Sequence, residues 1–249
     1  MAYNLSFASV YDVFTDGVDY SARAEYLHNI LKNNGIVSGI ILDAACGTGS
    51  ISCELLEKGY DVVANDISVA MLNVAREKLS PYNDRAVLLC QDMCELDLFG
   101  TVNAAVCCLD SMNHLLETED IADAVKSIGT FIEPGGIFIF DMNTIYKHRN
   151  VLSDRTFVYE DENDTFLAWQ NSECDVDDVV EMYIDIFSKN DDGTYNRQTD
   201  FIVERAYSID TISELLFENG FELLNIYGDM KTLPPEDNEE RIYFVAKKK

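Results

Sequence analysis

A chain of 249 residues, 47% hydrophobic and 25% charged, is long enough to bury a large core and too apolar for a disordered segment. Its 18 Lys and Arg stand against 45 Asp and Glu, a net charge of −27, which works against partners gripped through a phosphate backbone or an anionic membrane surface, since such contacts need cations. There is no apolar run of about 18 residues, and the start, MAYNLSFASVYDVF, has no basic segment. The composition therefore predicts no membrane helix and no export signal, and the expected location is cytoplasmic.

Residues 18–34 place Ala22, Tyr26, Leu27, Ile30 and Leu31 on one helical face and run into Gly35. GIILDAACGTG (39–49) reads as a short apolar strand entering a glycine-rich turn. SISCELLEKG (50–59) is a helix with Ile51, Leu55 and Leu56 inward and Gly59 as its stop. DVVAND (61–66) is a second strand, and Ser68 caps a helix carrying Met71, Leu72, Ala75 and Leu79. RAVLLCQD (85–92) and VNAAVCCLD (102–110) are the third and fourth strands. Thr118 is predicted to cap the next helix, with Glu119 and Asp120 suited to its dipole, a core face of Ile121, Val125, Ile128 and Ile132, and Pro134-Gly135-Gly136 as its end. IFIFDMN (137–143) is a fifth strand. Wholly apolar strands alternating with amphipathic helices require a parallel sheet covered on both faces, an α/β fold.

The rhythm breaks over residues 144–206. FVYEDEN, TFLAWQNSECDV, DVVEMYIDIFSKN and YNRQTDFIVERAY alternate apolar and polar positions between turns such as NDDG, the pattern of antiparallel strands. Ser208 then starts a helix (Ile212, Leu215, Leu216) that stops at Gly220, and FELLNIYGD and RIYFVAKKK finish the chain as two strands. The division that follows is 1–143 with 207–249 as one domain and 144–206 as an inserted antiparallel subdomain. The seven cysteines (Cys46, Cys53, Cys90, Cys94, Cys107, Cys108, Cys174) form no CxxC pair and lie mostly in apolar runs, so reduced, buried thiols are expected. His28, His114 and His148 do not supply metal-ligand spacing with them.

The chemistry concentrates at strand ends. Asp43-Ala44-Ala45-Cys46-Gly47-Thr48-Gly49 closes the first strand. There Gly47 and Gly49 let backbone approach a ligand, and the next helix offers its free N–H groups to an anion. Asp66 ends strand two, 17 residues after Gly49, where an acid can accept from both hydroxyls of a ribose. Asp92 and Met93 end strand three, suited to an amino group and a purine face, and Leu109-Asp110 ends strand four.

ILDAACGTGSIS, VVANDIS, CQDM, CCLDSMNHL and EPGGIFIFDMN resemble, in order, the motifs of class I S-adenosylmethionine-dependent methyltransferases. YDVFTDGVDY and RAYSIDTISELLFENGF are similar to the bacterial small-molecule branch that includes aminosugar N-methyltransferases. Ala45 stands where the family pattern has Gly, a known variant. The resemblance implies a Rossmann-like, seven-stranded, doubly wound sheet with an inserted antiparallel β lid, S-adenosyl-L-methionine as cofactor, no metal and a small-molecule methyl acceptor. By position, Asp43 would sit near the methionine ammonium with Ala45, Cys46, Gly47, Thr48 and Gly49 forming the turn. Asp66 would hold the ribose and Ile67 would lie against adenine. Asp92 and Met93 would contact the adenine edge, Leu109 would give a carbonyl to the ammonium, and Tyr11 would cap the carboxylate.

Moving a methyl group from a sulfonium is a displacement governed by positioning, assisted by a base where the acceptor must lose a proton. His114 is the candidate base, or else a loop-capping residue. Tyr20, Asp110 or Asn113 would orient an amine or hydroxyl, and Trp169, Tyr183 and Phe187 would wall the acceptor site or fill the inserted sheet's core. A nicotinamide enzyme would want a third glycine, where Gly47-Thr48-Gly49-Ser50-Ile51-Ser52 has none. A protein or RNA acceptor, and a catalytically silent binding module, remain as alternative readings. The acidic surplus serves solubility or a cationic substrate, and composition does not choose between them. Nucleic acid and membrane partners are not expected, and the oligomeric state is not readable.

Overall fold

Seven strands form the sheet that the apolar runs predict, in a computed structural model that describes residues 8, 11, 12, 15, 17–82, 84–161 and 164–249. In chain order they begin with β1 (Ile40–Asp43), β2 (Asp61–Asn65), β3 (Ala86–Leu89), β4 (Val102–Cys107) and β5 (Ile132–Asn143). A second, antiparallel sheet follows: β6 (Thr156–Glu160), β7 (Phe166–Asn171), β8 (Val179–Lys189) and β9 (Tyr195–Arg205), paired in that order. β10 (Phe221–Gly228) and β11 (Arg241–Lys248) then return to the first sheet, whose order is β10-β11-β5-β4-β1-β2-β3. Only β11 runs against its neighbours. The order reverses at β1, so the crevice beyond the carboxyl ends of β1 and β4 is the switch point where open α/β sheets bind ligands.

Each face of this sheet buries its own core. Leu42, Ala105, Cys107, Phe138, Phe140 and Phe244 face α4 (Thr118–Phe131) and α5 (Ile209–Glu218). Their alternate neighbours Ile41, Ala104, Val106, Ile139, Tyr243 and Val245 face α1 (Tyr20–Asn33), α2 (Ser50–Glu57) and α3 (Val69–Leu79). The period of 2 along each strand delivers adjacent apolar residues to opposite layers. The inserted sheet turns Leu167, Met182, Ile184 and Ile202 onto a third cluster with Ala8, Ala70 and Met71.

Several boundaries differ from the sequence reading. In α1 the buried residues are Ala24, Tyr26, Leu27, Ile30 and Leu31, while Ala22, one turn from the start, is exposed. The cap of α4 is Glu117, in extended backbone and without a side-chain cap bond, and Thr118 is already helical. That helix ends at Phe131, so Ile132 and Pro134-Gly135-Gly136 belong to the irregular entry of β5, where the pairing with β4 shifts register. Gly136 has no space for a side chain there: a Cβ would sit 2.6 Å from Asn103 O. Among the cysteines, Cys46, Cys107 and Cys108 are buried, Cys53, Cys94 and Cys174 half-buried and Cys90 exposed. Part of the predicted FVYEDEN segment, 162–163, lies outside the described residues. No helix among the described residues is long and apolar enough to cross a membrane.

Gly49 and Gly59 both have left-handed backbone, but only at Gly49 would a Cβ meet a neighbour, Ala75 Cβ at 3.1 Å. Gly59→Ala is therefore expected to cost about 1–2 kcal/mol from backbone conformation alone, and Gly49→Ala more, because α3 must also move. Urea denaturation of the two variants checks the order.

Candidate functional site

The turn after β1 is held from β2. Asp66 accepts from Gly47 N at 2.8 Å through Oδ2 and from Ser68 N at 2.8 Å through Oδ1. Asn65 ties the neighbouring strand ends, its Nδ2 donating to Ala44 O and Gln91 O at 3.0 Å each. Gly47 adopts φ 54°, and a Cβ on it would meet nothing within 4 Å, because it faces an open cleft. Thr48 Oγ1 donates to Asp12 Oδ1 at 2.7 Å, and Lys78 Nζ reaches Asp12 Oδ2 at 2.6 Å and Ser50 Oγ at 2.8 Å. Asp12 is thereby tied across the turn.

The cleft has a cavity volume of about 130 Å³ and is open to solvent. Tyr11, Tyr20, Asp43, Ala45, Cys46, Gly47, Thr48, Asp66, Ile67, Asp92, Met93, Leu109 and His114 all line it. Gly49 does not; its small size serves the approach of α3. Ser50, Met71, Gln91, Cys108, Ser111 and Leu115 line it without having been singled out; adjacency to the motifs was the only signal for most of them.

Asp43 is 1% exposed and accepts from Ser52 Oγ at 2.6 Å. Burial pushes its carboxyl up to about 7, against the Ser52 bond. Burial also raises Asp66, opposed by the Ser68 and Gly47 amides. Asp92 is exposed and caps the short turn Met93–Glu95 through Cys94 N at 2.9 Å. Burial raises both Tyr11 and Tyr20. Tyr20 donates to Thr15 Oγ1 at 2.9 Å, and that bond opposes the upward push of burial on its hydroxyl.

At the end of β4 the chain makes two consecutive left-handed residues, Leu109 (φ 59°) and Asp110 (φ 56°), an arrangement uncommon without glycine. Asp141 of β5, fully buried, accepts from Leu109 N at 2.9 Å and Asp110 N at 2.8 Å. Arg241, the first residue of β11, hydrogen-bonds both Asp141 and Asp110. Burial pushes Asp110 up, but Arg241, with Lys147 behind it, outweighs that and holds the carboxyl below its usual range. Neither Asp141 nor Arg241 was singled out from the sequence, although an acid inside the apolar run IFIFDMN was the available signal.

This turn separates the cleft from a second cavity of about 240 Å³ that shares Tyr11 and Leu109 with it. Leu152, Leu167, Trp169, Met182, Ile184 and Ile202 wall the second cavity, and Asp110, Asn143, Lys147, Glu204 and Arg241 form its polar end. Tyr183 and Phe187 do not reach it. Both sit on the opposite face of the inserted sheet, where Tyr183, 50% exposed, packs on Phe201 and Phe187 on Phe166. Asn113 is fully buried and its amide is committed to Asn143 and to Arg205 O, so it orients the backbone and not a ligand. Asp110, His114 and Glu204 bring donor atoms within 4.8 Å of one another. His114 lies on the cleft side and the two acids on the other.

A family model for a methyltransferase domain matches residues 41–136. YqeM of Bacillus subtilis (strain 168) is 33% identical over 97% of this chain and 96% of its own length. The crystal structure of an S-adenosylmethionine-dependent methyltransferase from Clostridium acetobutylicum ATCC 824 is 31% identical, covers 98% of both chains and superposes with a TM-score of 0.87. The dTDP-3-amino-3,4,6-trideoxy-alpha-D-glucopyranose N,N-dimethyltransferase of Streptomyces venezuelae is 30% identical over 56% of this chain and 58% of its own.

The Asp43 carboxyl gives a pH test of the buried turn. Folded, it keeps its proton up to about pH 7, whereas its ordinary value is 3.8. The folded state thus binds more protons in that window, and this group lowers stability as pH rises through it. Asp43→Asn removes the slope. Thermal unfolding should show the variant gaining on the parent between pH 5 and pH 8; an equal difference at both would refute the buried, raised carboxyl.

Proposed function

This chain belongs to the S-adenosylmethionine-dependent methyltransferases, and from that premise we propose that it methylates a small-molecule acceptor held in the second cavity. The observation that carries the reading is the pair of adjoining cavities: one is lined by the strand-end residues, the other by the inserted sheet, and both share Tyr11 and Leu109. The match to an aminosugar N-methyltransferase supports an acceptor of that size, as does the acidic surplus, which disfavours RNA.

The residues present suit the donor. The open face of Gly47 admits backbone-close contact, Ile67 and Met93 offer apolar surface, and Asp66 presents a buried carboxylate. In this reading Asp43, the Ala45–Thr48 turn and the Leu109 carbonyl hold the amino acid end with Tyr11, Asp66 holds the ribose, and Asp92 and Met93 hold the adenine edge. Bound there, S-adenosyl-L-methionine supplies a methyl group on a positively charged sulfur. The chain's own task is to fix the acceptor's lone pair in line and keep water out, the kind of positioning that contributes up to roughly 7–11 kcal/mol. Residues 144–206 act as the acceptor lid, and His114, on the cleft side within 4.8 Å of Asp110 and Glu204, takes the proton the acceptor loses.

Titration calorimetry with S-adenosylmethionine and S-adenosylhomocysteine tests the donor site. Asp66→Ala removes a carboxylate whose charged hydrogen bonds are each worth roughly 1.5–3 kcal/mol, so affinity for both should fall about tenfold or more. Unchanged affinity would sink the ribose role, and no binding to the parent chain would sink the reading.

A further inference from the structure

The second cavity pairs two unlike surfaces, and together they narrow the acceptor. Leu167, Met182 and Ile184 offer its occupant no hydrogen bond, so a ligand clothed in hydroxyls would strand them against hydrocarbon. Trp169 supplies a flat wall, and its Nε1 is buried without a hydrogen-bond partner among the described residues, which a ligand would satisfy.

At the polar end the two cations are already engaged. Arg241 is shared between Asp110 and Asp141. Lys147 Nζ is bound to Asn143 Oδ1 at 2.9 Å, and the Asn143 amide donates to Glu204 at 3.0 Å. Of the two acids at this end, Glu204, 4% exposed, has no Lys or Arg in contact among the described residues. The group next nearest is His148 Nε2 at 3.7 Å, whose Nδ1 is engaged with Asp178 O. A buried carboxylate of this kind is stabilised by a cation brought to it.

We propose that the acceptor is an amphipathic amine whose ammonium is received by Glu204 and Asp110 and whose flat apolar body lies against Trp169. This rests on the methyltransferase reading for the cavity's role, but the recognition itself is a property of the cavity and is measurable without turnover. The cluster that joins Asp110 and Glu204 to His114 within 4.8 Å puts that ammonium at the border with the donor cleft, where its proton can be lost.

Calorimetry on the full chain, with and without saturating S-adenosylhomocysteine, uses phenethylamine, 2-phenylethanol, glycine and glucosamine as probes. Phenethylamine should bind about tenfold or more tighter than each of the others. Glu204→Gln should erase its preference over the alcohol while S-adenosylhomocysteine affinity stays within about twofold of the parent. Should the variant not fold, the parent's own preference decides. Equal binding of the alcohol would show that His148 balances Glu204 and that the acceptor is neutral, and tighter glycine or glucosamine would show a polar acceptor; either overturns the inference. Absence of S-adenosylhomocysteine binding with the amine preference intact would instead count against the methyltransferase reading and leave the cavity's specificity standing.

Discussion

The carboxylate of Asp141 is the constraint around which the two cavities are arranged. It sits fully buried within the apolar run of β5, where an unpaired charge would be prohibitive. Its partners are the Leu109 and Asp110 amides and the Arg241 guanidinium. Two L-residues in a row can stay left-handed because those amides have nowhere better to point. The bend carries Leu109 to the border shared by both cavities and Asp110 into the second. The reversal of β11 matters for the same reason. Running against β5, it pairs Arg241 with Asn143 and so starts at the carboxyl edge of the parallel strands. A parallel last strand would deliver its final residue to that edge.

Much of this was legible in the sequence where a local rule sufficed. Strand ends announce themselves by an acid after an apolar run, and the resulting residues converge on one cleft because parallel strands all end on the same side. Gly49 shows the limit of reading a motif residue by residue. It shares the turn with Gly47, but its neighbour is Ala75, in a different helix, and only the packing reveals that its task is steric. Pro134-Gly135-Gly136 looked like a helix stop and is the entry to a strand, since breaker residues mark the change of structure without saying on which side of it they fall.

The rest depended on partners far apart in the chain. Asp141 and Arg241 are 100 positions apart, and neither alone distinguishes a buried pair from a solvated charge. In the inserted sheet the alternation was plain, but both parities carry aromatics, so Trp169 and Tyr183 were equivalent until the sheet acquired an inside. Ala8 and Met71, from outside the insertion, are what give it one.

The acidic composition, ambiguous as a total, divides into two populations in the fold. Most of the acids among the described residues are exposed to solvent. Asp43, Asp66, Asp141, Asp178 and Glu204 are buried, and Asp110 shares Arg241 with Asp141. For Asp43 and Asp66 burial raises the carboxyl, so their ionised forms are held at a cost to the folded state. A cation entering the crevice offsets that cost, and any ligand bound only by the folded chain stabilises it in proportion to the logarithm of its concentration. The carboxylates that cost the folded state most are therefore those a bound cation would relieve most.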